Sequence, residues 1–150
     1  MPHRPTSPGA WLSLLTEELR SYFNQELARH GLALGEWGVL LAIHYADRPT
    51  VGELAERLSA DPERVRMRIE QLTARGLLDG APADPAQEPA GVVLSHEGRE
   101  LVPALIEIAS GADSMIFKGL TPGQRDELEG CLRQLLTVAE LPAGDEPPGA

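Results

Sequence analysis

Apolar residues recur at three- and four-residue steps over most of this chain, and the breaks between those runs carry cap and turn residues. Leu12, Leu15, Leu19, Tyr22, Phe23 and Leu27 follow Ser7-Pro8 and lead to Gly31. A cap, a first-turn proline, an amphipathic stripe and a glycine stop predict a first helix over 8–31. The stretch "EWGVLLAIHYAD" predicts a second, from about Gly35 to about Asp47 before Pro49, with Trp37, Leu40, Leu41 and His44 on one face. Thr50 and Glu53 form a capping-box pattern at the start of "VGELAERLSA". Asp61-Pro62 repeats the start signal for a helix that passes Leu72 and stops at Gly76. Two short helices a few residues apart make a helix-turn-helix candidate.

From Asp79 to Gly91 the composition shifts to Ala, Pro, Gly and Asp, after which "VVLS" reads as a short strand. With "LLD" before it, this makes a hairpin. Ser95 caps a long helix, "HEGRELVPALIEIASGADSMIFKGL", with a kink or an irregular start expected at Pro103 because proline removes one ladder hydrogen bond. Thr121-Pro122 with Gln124 opens a last helix to about Val138, and the tail 141–150, ending "PAGDEPPGA", reads as disordered. The sequence contains no internal repeat.

A chain of 150 residues suffices for one domain with a real core. Aromatics are only 4% of it, so the core must be aliphatic, and the helical spacing points to a mainly α protein. The formal net charge of -10 repels a polyanion, so any contact with nucleic acid has to be local. One place offers it: "LSADPERVRMRIEQLTARGLL", Leu58 to Leu78, holds Arg64, Arg66, Arg68 and Arg75. Cys131 is the single cysteine, which excludes an intramolecular disulfide or thiolate cluster and makes a reducing compartment the default. Thr16, Glu17 and Glu18 break the first apolar run before a signal core forms, and no stretch is long enough to span a bilayer. A cytoplasmic location is expected. The chain carries no glycine-rich phosphate loop, no nucleophile elbow and no His-Glu-x-x-His metal pair, so neither a catalytic residue, a metal nor a cofactor is assigned.

Helix, helix, helix-turn-helix, hairpin, long helix and helix is an order that resembles the MarR (multiple-antibiotic-resistance regulator) family of winged helix-turn-helix proteins. "LALGEWGVLLAI" is similar to that family's tryptophan-bearing helix start, "TVGELAERLSADPERVRMRIEQLTARGLL" resembles its helix-turn-helix, and "VVLSHEGREL" its exit from the wing. The resemblance covers nearly everything from Leu12 to Leu136 and is most specific in Leu54 to Leu78. It implies a single domain: a winged helix-turn-helix over 34–95 and a helical dimerisation lobe from 8–31 and 96–138. It further implies a homodimer, a palindromic double-stranded DNA partner and a small organic ligand held between the lobes.

At about 100° per residue, Val65, Ile69 and Leu72 form the core side of the second helix of that unit. Glu63, Arg66, Met67 and Glu70 lie roughly opposite, with Arg64, Arg68, Gln71 and Arg75 towards one flank. Arg64, Arg66, Met67, Arg68 and Gln71 are therefore the candidate DNA-binding residues. Met67 holds the centre, where the family commonly carries an arginine. For Arg66 a surface pair with Glu63 or Glu70 is the competing reading.

The wing departs from the resemblance most. The family's aspartate and arginine of the wing fall at Ala86 and Glu88, no Lys or Arg occurs between Arg75 and Arg99, and Pro82, Pro85 and Pro89 limit ladder pairing. Ala33 also stands where a threonine cap is common. Tyr22, Trp37, His44, Met115 and Phe117 are the candidate ligand-binding residues, each with a plain core or interface role as its competing reading. For His44 a structural role competes with an acid-base one, His30 sits at a helix end, and His96 is expected to be solvated. Cys131, at helical spacing with Leu128, Leu132 and Leu135, is expected to be a buried, inert thiol.

The combined reading is a ligand-responsive, DNA-binding transcriptional regulator, a repressor. The alternative is a MarR-fold protein that has lost DNA binding and uses the inter-lobe pocket for small-molecule binding or catalysis, as the acidic wing and Met67 suggest.

Overall fold

The structure is a computed structural model that describes residues 7–80 and 91–139. The wing positions Ala86 and Glu88, the prolines at 82, 85 and 89, and the tail 141–150 lie outside the described residues. Six helices and one small hairpin follow in the order α1 (Pro8–Ala28), α2 (Leu34–His44), α3 (Val51–Arg57), α4 (Pro62–Ala74), β1 (Leu78–Asp79), β2 (Val93–Leu94), α5 (His96–Phe117) and α6 (Pro122–Val138).

The caps explain where these helices start. The Oγ atoms of Ser7, Thr50, Ser95 and Thr121 accept from the backbone amides of Ala10, Glu53, Gly98 and Gln124. Glu53 and Gln124 return the bond to Thr50 N and Thr121 N, completing two capping boxes. Ala33 has no side chain to cap α2, yet Glu36 Oε2 accepts from Ala33 N at 2.8 Å and supplies half of the motif.

Helix ends depart from the sequence expectation where the backbone turns early. α1 stops at Ala28, three residues before Gly31 (φ +66), and α2 stops at His44 rather than near Asp47, ahead of Arg48 at φ +49. α4 closes as expected: Gly76 adopts φ +76 and Leu77 N donates to Leu72 O at 2.9 Å, a Schellman-type end. α5 begins at His96 and runs unbroken through Pro103, which is neither its start nor a break.

The core is aliphatic, with Leu27, Val39, Leu40, Leu41, Leu54, Val65, Ile69, Leu72, Leu78 and Leu105 all buried together. It sits where α2, α3, α4 and the front of α5 converge. The hairpin pairs Leu78 with Leu94 and Asp79 with Val93, antiparallel. Val92 N donates to Pro49 O at 3.0 Å, and Gly91 lies so close to the Arg48 carbonyl that a Cβ there would overlap it. The buried Ser95 Oγ donates to Gly76 O at 2.6 Å, tying the start of α5 to the end of α4.

α1 and α6 are different. Trp11, Leu12, Leu14 and Leu15 on α1 are each close to half exposed, and α6 buries no residue at all although Leu132, Leu135 and Leu136 line it. Among the described residues, no helix is long and apolar enough to cross a membrane.

α1 crosses α5 where the Tyr22 hydroxyl occupies the space that a side chain on Gly111 would need. Gly111→Ala should therefore lower stability by a net ~1–2 kcal/mol, overpacking outweighing the gain in helix propensity. Adding Tyr22→Phe should recover part of that decrease. Urea midpoints of the unaltered protein and the two variants check both expectations; a stabilised Gly111→Ala would contradict this packing.

Candidate nucleic-acid interface

α4 buries Val65, Ile69 and Leu72 and thereby turns its other side outward. Arg64 and Gln71 are exposed, and Met67 lies at the middle of that side with 52% of its surface open. The arginines of this stretch have separate occupations. Arg66 Nε lies 3.6 Å from Glu63 Oε2, an exposed pair of little energetic weight. The Arg68 guanidinium lies over Gly35 at the front of α2, filling the space a Cβ would take there. It is half-buried and turned away from the outward side.

Arg75 is a clamp. Its Nη1 donates to both carboxylate oxygens of Glu36, at 3.2 and 3.3 Å, and its Nη2 donates to Gly31 O at 2.8 Å. One guanidinium thus holds the end of α4 against the junction of α1 and α2. Sequence reasoning missed this use of Arg75 because 39 positions separate it from Glu36 and no local spacing marks them.

Arg64 makes no ion pair among the described residues, and neither do Arg57 at the end of α3 and Arg48 just before α3. From Arg48 to Arg75 the chain holds six basic and five acidic residues, a net charge of +1 in a molecule of -10. This stretch therefore lacks the net negative charge that repels a polyanion from the chain as a whole.

Behind this unit, α1, α5 and α6 enclose a cavity of about 360 Å³ with Trp37 of α2 in its wall. Leu12, Leu15, Leu19, Phe23, Ile116, Phe117, Leu128 and Leu132 line it, and Thr16 and Asp113 are its polar members. Trp37 packs on Phe23 with ring centroids 5.0 Å apart, and its Nε1 donates to Leu105 O at 3.1 Å, so the indole is fixed at both ends. Arg125 sits 4.8 Å from the centroid of the Phe117 ring and 3.5 Å from Asp113 Oδ2.

Of the five expected ligand residues, the structure brings Trp37 and Phe117 together in that wall. Tyr22 stacks edge-on against Phe23 instead, with centroids 5.8 Å apart; burial, then the nearby Glu26, raises its phenol above the ordinary pKa, and Arg29 opposes them. Met115 is exposed. So is His44, which ends α2 and contacts Tyr45 rather than facing the cavity with Trp37. His44 keeps to the side of α2 that carries Trp37, but it lies two turns further on, at the last residue of the helix and beyond the residues that line the cavity. Cys131 is also exposed in the single chain, against expectation, because α6 buries none of its residues.

His30 and Arg75 border an open surface depression of about 380 Å³ with Leu77, Glu97, Glu100 and Leu101, while His96 lies out on the surface 3.4 Å from Glu100. Among the described residues no group of His, Cys, Asp and Glu is arranged to hold a metal ion.

No protein-family model matches the chain, and no curated protein matches it. Solved structures do. BpsR of Bordetella bronchiseptica, whose DNA binding is regulated by 6-hydroxynicotinic acid, superposes with a TM-score of 0.74 over 90% of this chain and 96% of its own, at 26% identity. A MarR transcriptional regulator from Methanosarcina mazei Go1 gives the same TM-score over 87% and 94%, at 21% identity. This is the MarR winged-helix fold. A Mycobacterium tuberculosis MarR family protein solved in complex with DNA matches at 0.68 over 87% of this chain and 98% of that one, at 22% identity. Within the MarR fold, α3 and α4 are the helix-turn-helix and the β1–β2 hairpin is the base of the wing.

Since Arg75 joins three elements and Arg64 joins none among the described residues, their replacement should separate cleanly. Arg75→Ala should cost about 1–2 kcal/mol, discounted for its partial exposure, with an Arg75/Glu36 double-mutant cycle showing non-additivity. Arg64→Ala should leave the urea midpoint unchanged. Additive effects of Arg75→Ala and Glu36→Ala would mean that the clamp carries no coupling.

Proposed function

We propose that this protein is a homodimeric transcriptional regulator that binds palindromic double-stranded DNA through α4, a repressor released by a small organic ligand. The observation that carries the reading is the outward side of α4: Arg64 without an ion pair among the described residues, Gln71 and Met67 exposed, on a unit of the MarR fold whose charge is not acidic. Arg64 supplies a phosphate or guanine contact and Gln71 an adenine contact. Arg57 and Arg48 add phosphate contacts at the flank. Arg66 serves when it leaves Glu63, and Arg68 serves by seating α4 on α2.

The homodimer reading rests on α1 and α6. An apolar stripe on a helix that buries nothing costs free energy in water unless a second surface covers it, and the two-fold partner of a MarR fold offers that same surface. The ligand reading rests on the cavity that includes Trp37, Phe23 and Phe117, which suits a flat apolar molecule bearing a polar group for Thr16 or Asp113. Because α1, α5 and α6 also set the relation between two copies, a ligand there competes with DNA by favouring another spacing of the two α4 helices. Such a regulator works in the cytoplasm, beside its DNA.

The second reading, a MarR fold that binds ligands and no DNA, draws on the net charge of -10 and the absence of Lys and Arg between Arg75 and Arg99. Fluorescence anisotropy with the DNA upstream of the protein's own coding sequence, at two salt concentrations, tests the choice. Arg64→Ala should weaken binding and reduce the salt slope by about one unit for each phosphate that Arg64 neutralises in a half-site. An unchanged slope would leave Arg64 a surface charge, and no binding by the unaltered protein, with a saturable Trp37 response to a small molecule, would favour the second reading.

For the dimer, Leu132→Asp should dissociate the protein and unfold it together, since a carboxylate at that position finds no partner. Sedimentation of the unaltered protein as a stable folded monomer at micromolar concentration would overturn the homodimer.

A further inference from the structure

We propose that Met67 is a base-reading residue and that the pair it meets in each half-site is A·T, recognised by the methyl group of thymine. This deepens the DNA-binding reading above and rests on it. Met67 lies at the centre of the outward side of α4, 52% exposed, with Arg64 one turn before it and Gln71 one turn after. Its position is fixed by the opposite side of the helix, where Val65, Ile69 and Leu72 are buried. A helix seated in the major groove through this side brings Met67 closest to the base edges.

The chemistry of the thioether then decides what it can read. It has no donor and is only a weak acceptor, so it cannot satisfy the O6 and N7 of guanine, the N6 and N7 of adenine or the N4 of cytosine. Set against any of those edges, it displaces water and leaves a polar group without a partner, which is a penalty. The C5-methyl of thymine is the one apolar group that the major groove presents. There the flexible, polarisable side chain gains contact area and strips water from two apolar surfaces. Met67 therefore selects for thymine and against the three alternatives at the same position. Gln71, on the same side one turn on, carries the amide that pairs bidentately with adenine, so the half-site read by this helix is A·T-centred, with any guanine contact at the Arg64 end.

The probe is a library of duplexes with a randomised centre, from which the full-length protein selects its binding sites. Each thymine of the selected half-site is then replaced, one at a time, by deoxyuridine, which removes only the methyl group. One thymine per half-site should respond, its replacement weakening binding by about fourfold per half-site, the equivalent of one buried methyl. Met67→Ala should abolish that response while keeping the salt slope of the unaltered protein, since Met67 touches no phosphate. Met67→Arg should change the base selected at that position from thymine to guanine. The side chain is exposed, and a matching thermal transition for each variant confirms that folding is retained. Selected sites in which no thymine methyl contributes, or a Met67→Ala protein with the methyl response intact, would overturn the assignment while leaving DNA binding by α4 standing. Failure to select any sequence would overturn the DNA-binding reading, and the role of Met67 with it.

Discussion

The orientation of α4 depends on three side chains. Val65, Ile69 and Leu72 are each at most 1% exposed, and burying them is worth roughly 5–8 kcal/mol together. The ion pair on the same helix, Arg66 with Glu63, is worth only tenths of a kcal/mol. The apolar side therefore dictates which residues face outward, and the charges accept that arrangement. Arg75 and Arg68 then fix the helix to α2, one through Glu36 and Gly31 and the other across Gly35. What the helix can present to a duplex is the remainder: Arg64, Met67, Gln71 and the Glu63–Arg66 pair.

The other half of the molecule is built on the opposite condition, apolar surface without a partner. α1 keeps Leu27 fully buried at its end but leaves Trp11, Leu12, Leu14 and Leu15 open at its start, and α6 packs so lightly that Cys131 is exposed beside Leu132. The cavity bounded by Trp37, Phe23 and Phe117 lies between these helices, so its walls are shared with the surface a second copy would cover. The proposed dimer and the proposed ligand would therefore be physically coupled, because both would act on the separation of α1, α5 and α6. The Arg125 contacts with Asp113 and Phe117 link α6 to α5 beside two residues of that wall.

Charge enters as a filter. A chain of -10 discourages loose electrostatic attachment to DNA, and the near-neutral unit from Arg48 to Arg75 leaves a short window in which contact is tolerated. On the proposed DNA-binding reading, the few phosphate contacts that Arg48, Arg57 and Arg64 offer supply little sequence discrimination, which then has to come from base edges. An apolar reader at the centre of α4 is consistent with that balance.

The sequence by itself determined the order of elements, because five of the six helix starts are written locally, at Ser7, Thr50, Asp61, Ser95 and Thr121, and Gly76 marks the end of α4. It also determined the inward and outward sides of α4, since helical periodicity alone separates Val65, Ile69 and Leu72 from Met67. Its reading of individual site residues was less complete. Trp37 and Phe117 meet as expected, but His44 falls at the very end of α2, Met115 is open to water and Tyr22 is spent on the crossing with Gly111. Four arginines in one stretch look alike in a string of letters. Only the tertiary structure assigned Arg75 to Glu36 and Gly31 and Arg68 to Gly35, and left Arg64 with no ion pair among the described residues. Those partners come from distant turns brought together by core packing rather than from any local spacing.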